Sequence, residues 1–249
     1  MASKLAVIAA TGIAGLAVCL GAAAAINGGN LGNGFDNMDF GMFDGKPRCE
    51  VIAGVTATSR DMDWDDSDHA DIAFPAQSNY TPGTGDKLHV TGNAQILAHM
   101  KVEDGAITLD CHPTHQQRMQ YRGAALHMTL PGCAFRKFSI AGGGKLTLDK
   151  LQQDDLEVEI AGAGTIQASG AVDKFKIEIA GSGNADFAAV VAREAGVEIG
   201  GSGTADIAPS DMAKVEIAGS GDVNLHSNPR HLDTEIAGSG RIHRLAGGS

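Results

Sequence analysis

A chain of 249 residues with a formal net charge of −11, 34 glycines and aromatics at only 4% can hold one large domain or two small ones. It cannot build a core on large rings, and glycine-rich β structure is the better fit. The acidic balance excludes nucleic acid as a natural partner, because a phosphate backbone would repel it, and excludes a polybasic hold on anionic lipid.

Residues 1–26 read as an export segment. After Lys4, the run Leu5 to Ile26, LAVIAATGIAGLAVCLGAAAAI, carries no charge. Its 22 residues reach across a bilayer, and its small-residue end offers a signal-peptidase site near Ala24 or Ala25. A cleaved signal peptide and a retained N-terminal membrane anchor both stay open. The membrane enters as a partner only through residues 5–26, if they are kept. Either way the chain is expected in the periplasm or cell envelope. In that oxidising setting Cys49, Cys111 and Cys133 allow one disulfide and leave one thiol over; Cys49–Cys111 is the expected bridge, stapling the start of the fold. Residues 27–48, rich in Gly, Asn and Asp, read as a flexible linker whose Phe35, Phe40 and Phe43 rest on the domain's first layer.

Residues 49–137 read as an N-terminal β part. DKLHVTG, AHMKVEDGAITLDC and LHMTLPG alternate apolar and polar positions as strands do, and TPGTGDK and EDGA carry turn chemistry. No long amphipathic helix is predicted anywhere. The stretch DFAAVVAREAG (186–196) is allowed a helical turn or two.

Residues 138–245 repeat one phrase, and residues 246–249 are a tail. A marker isoleucine falls at Ile140, Ile160, Ile179, Ile199, Ile217 and Ile236, in steps of 20, 19, 20, 18 and 19. A small residue and a Gly-x-Gly follow each: Gly142/Gly144, Gly162/Gly164, Gly181/Gly183, Gly201/Gly203, Gly219/Gly221 and Gly238/Gly240. A fixed period near 20 marks a solenoid, and the internal period of two makes it a β-solenoid. The expected fold is therefore all-β, a single-stranded parallel β-helix with coils of about 19 residues, in which like side chains stack at about 4.8 Å. Val158, Ile160, Ile177, Ile179, Val197, Ile199, Val215 and Ile217 point inward, joined beyond each glycine corner by Ile166, Ala185, Ala205, Val223 and Ile242. The glycines serve as structural corners.

The tandem EIAGSG echoes behind a strand-rich lead-in resemble the head GIN domain family of auto-transporter adhesins, over roughly 55–245. That resemblance implies a bacterial exported protein with one right-handed β-helix domain, an adhesin label, and no catalytic residues.

Several residue groups invite chemistry. Glu159, Glu178, Glu198, Glu216 and Glu235 take one place in successive coils, and a stack of carboxylates about 5 Å apart costs on the order of 1 kcal/mol per pair in water. Lys176 and Lys214, two residues before Glu178 and Glu216, are the expected partners; a calcium-type cation ladder is the alternative. Asp186 and Asp206 make a shorter matching pair. DMDWDDSDHAD (61–71) lacks the glycine and final glutamate of a calcium loop, since Asp66 and Ile72 stand there. Cys111, His112 and His115 with Cys133 lack clean zinc spacing. Ser182, Ser202, Ser220 and Ser239 recur between corner glycines, whereas a nucleophile is needed once. No catalytic residue, cofactor or metal is assigned.

Three functions compete: a non-enzymatic envelope solenoid binding an unidentified surface ligand, protein or polysaccharide, by broad weak contacts; a membrane-anchored periplasmic stress-sensing or regulatory module; and a polysaccharide lyase on a β-helix. The last needs long loops walling a groove, which these short coils lack.

Overall fold

The computed structural model describes residues 46–123 and 125–245. The expected export segment 1–26, nearly all of the expected linker 27–48 and the tail 246–249 lie outside the described residues.

Among the described residues, fifteen strands and two short helices follow in chain order. The lead-in holds β1 (Ser59–Asp63), β2 (His69–Ile72), β3 (Ala76–Tyr80), β4 (Lys87–Thr91), α1 (Ala94–His99), β5 (Met100–Glu103), β6 (Ala106–Leu109), α2 (His115–Gly123) and β7 (Leu126–Thr129). The repeats supply β8 (Lys137–Gly142), β9 (Lys145–Gly162), β10 (Thr165–Gly181), β11 (Asn184–Gly201), β12 (Thr204–Gly219), β13 (Asp222–Leu225), β14 (His231–Gly238) and β15 (Arg241–Arg244). Together they make a β-solenoid of about five turns.

The long strands bend partway, so each coil has two flanks meeting at a Gly-x-Gly corner. On the A flank, after the corner, β3, the first part of β9, β10, β11, β12, β13 and β15 pair in parallel. On the B flank, before the corner, β2, β8, the last part of β9, β10, β11, β12 and β14 do the same. The registers place Ile140, Ile160, Ile179, Ile199, Ile217 and Ile236 in one file. Five of these are almost completely buried. Burial of an isoleucine is worth about 1.5–3 kcal/mol, and each coil obtains it only from its neighbours.

The corner glycines do two different jobs, which corrects the reading that gives every one of them the turn itself. At Gly181, the first glycine of its pair, φ is +126°, and a Cβ there would sit 2.4 Å from the Gly162 carbonyl oxygen one coil up. That carbonyl accepts the Ser182 N–H at 2.8 Å. The second glycines, Gly164, Gly183, Gly203, Gly221 and Gly240, lie outside the left-handed φ region. They are spacers, each leaving room for the isoleucine of the coil before. A Cβ on Gly164 would stand 3.0 Å from Ile140 Cγ2, and one on Gly183 would press harder still on Ile160. The sequence pattern hides this division, because backbone strain and side-chain crowding call for the same residue.

The lead-in closes the stack's first end differently. β1 and β4, β4 and β7, and β5 and β6 pair antiparallel, while β2 and β3 join the parallel ladders of β8 and β9. Trp64, Tyr80, Phe135 and Phe138 pack edge-on or tilted at 5.0–5.3 Å between centroids, filling the layer where cap meets coil. The Tyr80 hydroxyl donates to the Cys133 carbonyl at 2.7 Å. Cys49 and Cys111 are disulfide-bonded across 62 residues of sequence, and Cys133 is free and exposed.

One reading of secondary structure is also corrected. Residues 186–196 lie inside β11, with Phe187, Val190, Ala192 and Ala195 buried in turn; stacking on β10 and β12 overrides the helix propensity of alanine. The lead-in also carries two short helices, of six and nine residues. Asn93 caps α1, accepting from the Gln95 and Ile96 N–H groups, and the Arg60 guanidinium bonds the Leu97 and Met100 carbonyls at its far end. Thr114 and Gln117 form a capping box before α2.

Candidate functional site

The two flanks present two ladders to solvent. On the B flank the register stacks Asp71, Ser139, Glu159, Glu178, Glu198, Glu216 and Glu235. Two residues earlier in each coil run Lys137, Glu157, Lys176, Gly196, Lys214 and Asp233. A lysine therefore stands beside most of the carboxylates. Lys137 reaches Glu159 at 2.5 Å and Glu157 at 3.3 Å. Lys176 contacts Glu178 and reaches Glu198 at 3.0 Å, and Lys214 meets Glu216 at 2.7 Å. Lys137 has no counterpart in the sequence reading, because it precedes a serine, Ser139, instead of a glutamate.

This ladder is deeper than an outward strand face usually is. Glu159 is 5% exposed and Glu178 9%. Burial pushes the Glu159 carboxyl up; bonding to Lys137 opposes this, and Glu178 and Glu157 reinforce it. Burial pulls Lys137 down, but Glu159 and Glu157 more than reverse it, so the ammonium is held charged. The two partners thus differ. Lys137 has two carboxylates to itself, whereas Glu159 shares one lysine and lies against like charge. Burial also opposes charge on Lys176, and its bonds to Glu178 and Glu198 again carry it upward. The bond to Glu216 raises Lys214.

Oxygens of Glu157, Glu159 and Glu178 lie within 4.8 Å of one another. A hard cation accepts such a group, but Lys137 and Lys176 already supply its countercharge. A second group joins His99, Asp110 and Cys111, although the Cys111 sulfur is held by Cys49. His99 faces the Asp110 carboxylate and the Glu50 carbonyl, each at 2.9 Å, and so ties the two chain segments beside the disulfide. His112 pairs through its backbone with Pro47, and His115 opens α2. The suggested Cys111, His112, His115 trio is not among the groups that bring ligand atoms together.

The A flank carries a ladder of a different kind. One file runs Gln77, Lys145, Thr165, Asn184, Thr204, Asp222 and Arg241; the next runs Asn79, Thr147, Gln167, Asp186, Asp206, Asn224 and His243. Asp206 accepts from Asn224 at 3.0 Å and bonds His226 at 2.9 Å, and Gln167 donates to Asp186 at 3.4 Å. Thr147, Thr165, Asn184 and Thr204 make no side-chain hydrogen bond to another described residue. Sequence reasoning noted only Asp186 and Asp206 here. The signal was available as polarity at one place in every coil, but no single identity runs through the file as isoleucine does on the other flank.

Corner serines Ser182, Ser202, Ser220 and Ser239 lie exposed along one edge, each donating its backbone N–H to the coil before.

The fold is a parallel β-solenoid with two polar ladders. The family described as putative auto-transporter adhesin, head GIN domain, matches residues 88–229, and the chain belongs to it. Among solved structures, a putative adhesin from Bacteroides fragilis NCTC 9343 is similar at 17% identity, covering 75% of this chain and 96% of that one with a TM-score of 0.55. A putative lipid binding protein from Parabacteroides distasonis ATCC 8503 is similar at 20% identity, covering 76% and 96%, with a TM-score of 0.49. No curated protein matches the chain.

Proposed function

We propose that the chain is a non-enzymatic, exported envelope protein whose coils form a rigid surface for adhesin-like, weak, multivalent contact with a polysaccharide or protein ligand. The observation that carries this reading is the A-flank ladder. Hydroxyl, amide and carboxylate groups recur there in register, about 4.8 Å apart, with several side chains unused by the fold. Each such group forms only a modest hydrogen bond against water. A rigid row engages several at once, which multiplies weak affinities. Membership of an adhesin-labelled family supports the reading, and a disulfide at Cys49–Cys111 supports an oxidising compartment. We read the winding as right-handed, the hand that parallel crossovers favour.

The test is capture of envelope-extract components and immobilised polysaccharides by the full chain. Thr165→Lys with Thr204→Lys should abolish capture while leaving the melting curve intact, and Glu216→Gln on the other flank should not. Capture indifferent to the A flank would overturn the assignment, as would uronate-lyase turnover lost on one Asp or Arg substitution.

The uncharged run Leu5–Ile26 favours a second reading, a regulatory module held at the inner membrane. Among the described residues no helix is long and apolar enough to cross a membrane, and the run lies outside them. N-terminal sequencing of the protein recovered from cells separates a cleaved signal from an anchor.

A further inference from the structure

Among the described residues β14 and β15 make the last coil of the stack. β14 pairs with β12 and β15 with β13, and among the described residues no strand pairs with their other edges. Ile236 stands in the same inward file as Ile217, yet it is 43% exposed against 2%. Unpaired N–H and C=O groups beside uncovered apolar side chains are a template for another strand.

This end is chemically divided. The outward residues of β14 are His231, Asp233, Glu235 and Ala237, with two carboxylates at its centre, and those of β15 are Arg241 and His243. β14 runs into the Gly238–Gly240 corner and β15 runs out of it.

We propose that this end face docks a second copy of the same chain, last coil to last coil. A twofold axis lying in the end face and bisecting the corner exchanges the two strands. It lays β14 of one copy along β15 of the other, in opposite directions. Inward positions stay inward, so Ile236 meets Ile242 of the partner subunit. In that register Glu235 faces the partner's His243 and lies diagonal to the partner's Arg241, and symmetry makes each contact twice. The same operation closes the assembly. Head-to-tail growth would need a matching coil at the other end, where the antiparallel cap stands instead. The dimer doubles the length of each side ladder, which is a separate matter from what the ladders bind.

The test is sedimentation equilibrium of the full chain in non-ionic detergent. The native chain should be a dimer. An all-acidic end (Arg241→Glu, His243→Glu) and an all-basic end (Asp233→Lys, Glu235→Lys) should each weaken self-association at least tenfold with unchanged circular dichroism. An equimolar mixture of the two should recover a one-to-one heterodimer. Ile236→Cys copies mixed with Ile242→Cys copies should cross-link on mild oxidation. A native chain that stays monomeric overturns the proposal. So does an all-acidic variant that dimerises as tightly as the native chain, or a cysteine mixture that yields no cross-link.

Discussion

Gly183 lies under the side chain of Ile160, one coil away, so closely that a Cβ built on it would stand 2.4 Å from Ile160 Cγ2. The same relationship recurs between Gly203 and Ile179, and between Gly221 and Ile199, at 2.6 Å. Each coil's isoleucine occupies the space that a later coil's second glycine leaves empty. A β-branched side chain has little rotamer freedom with which to withdraw. Gly183→Ala should therefore cost about 1–3 kcal/mol by overpacking. Gly143→Ala, whose Cβ would meet nothing within 4 Å, should be close to neutral. Urea denaturation measures both, and truncation in Gly183→Ala/Ile160→Ala should recover part of the clash as a favourable coupling. Equal effects at Gly143 and Gly183 would refute the packing argument.

The disulfide closes a loop of 62 residues. A cross-link of that span restricts the unfolded chain by an amount worth about 4 kcal/mol in the loop-entropy account. Cys49→Ser with Cys111→Ser should lower the melting temperature by roughly 10 °C for a domain of this size. His99 still ties Glu50 to Asp110 in that variant, so the cap should loosen before the coils. Hydrogen exchange should show protection falling first in β5 and β6 while β10 and β11 hold. Uniform loss along the chain would count against a staple acting locally.

The parts legible in the sequence were those that repeat an identity. Ile160, Ile179 and Ile217 each fill the same shaped gap, so stacking demands one residue type and the period becomes visible. The corner glycines are fixed in the same way by a carbonyl or an isoleucine in the neighbouring coil. The A-flank file asks only for polarity, and Thr165, Asn184, Thr204 and Asp222 satisfy that without keeping one identity from coil to coil. The cap obeys a third logic. Its helices are announced by short local signals, Asn93 and the Thr114–Gln117 box, which an alternation of apolar residues obscures. Lys137 was missed for a further reason: the first coil replaces the ladder glutamate by Ser139, and its lysine serves the glutamates of the next coil.

Lysines lie against the B-flank carboxylates, and that has a measurable consequence. Calcium at 1 mM, used as an assay concentration of about its extracellular order, should leave the native melting temperature unchanged. Lys137→Met removes charged hydrogen bonds to Glu159 and Glu157 and should cost about 2 kcal/mol. It also leaves three carboxylates facing one another, so calcium should restore part of that variant's stability. A clear calcium-dependent rise in the native protein would show that the ladder binds cations despite its lysines.

Glu159 supplies the pH dependence. Burial, with Glu178 and Glu157 alongside, raises its carboxyl above the ordinary 4.5 despite Lys137. The folded protein therefore holds this proton more tightly than the unfolded chain does, and protonation favours folding. That contribution is complete below about pH 4.5 and is lost as pH rises through the higher folded value. Glutamine mimics the protonated form at every pH. Glu159→Gln should thus melt above the native protein at pH 7, and the two curves should converge as pH falls below the ordinary carboxyl range. Lys137 keeps Glu157 in the variant, so the substitution leaves no unpaired ammonium. Melting temperatures from pH 3.5 to 8 decide the matter; a glutamine variant less stable than the native protein at pH 7 would mean that the Lys137 bond outweighs the burial of the charge.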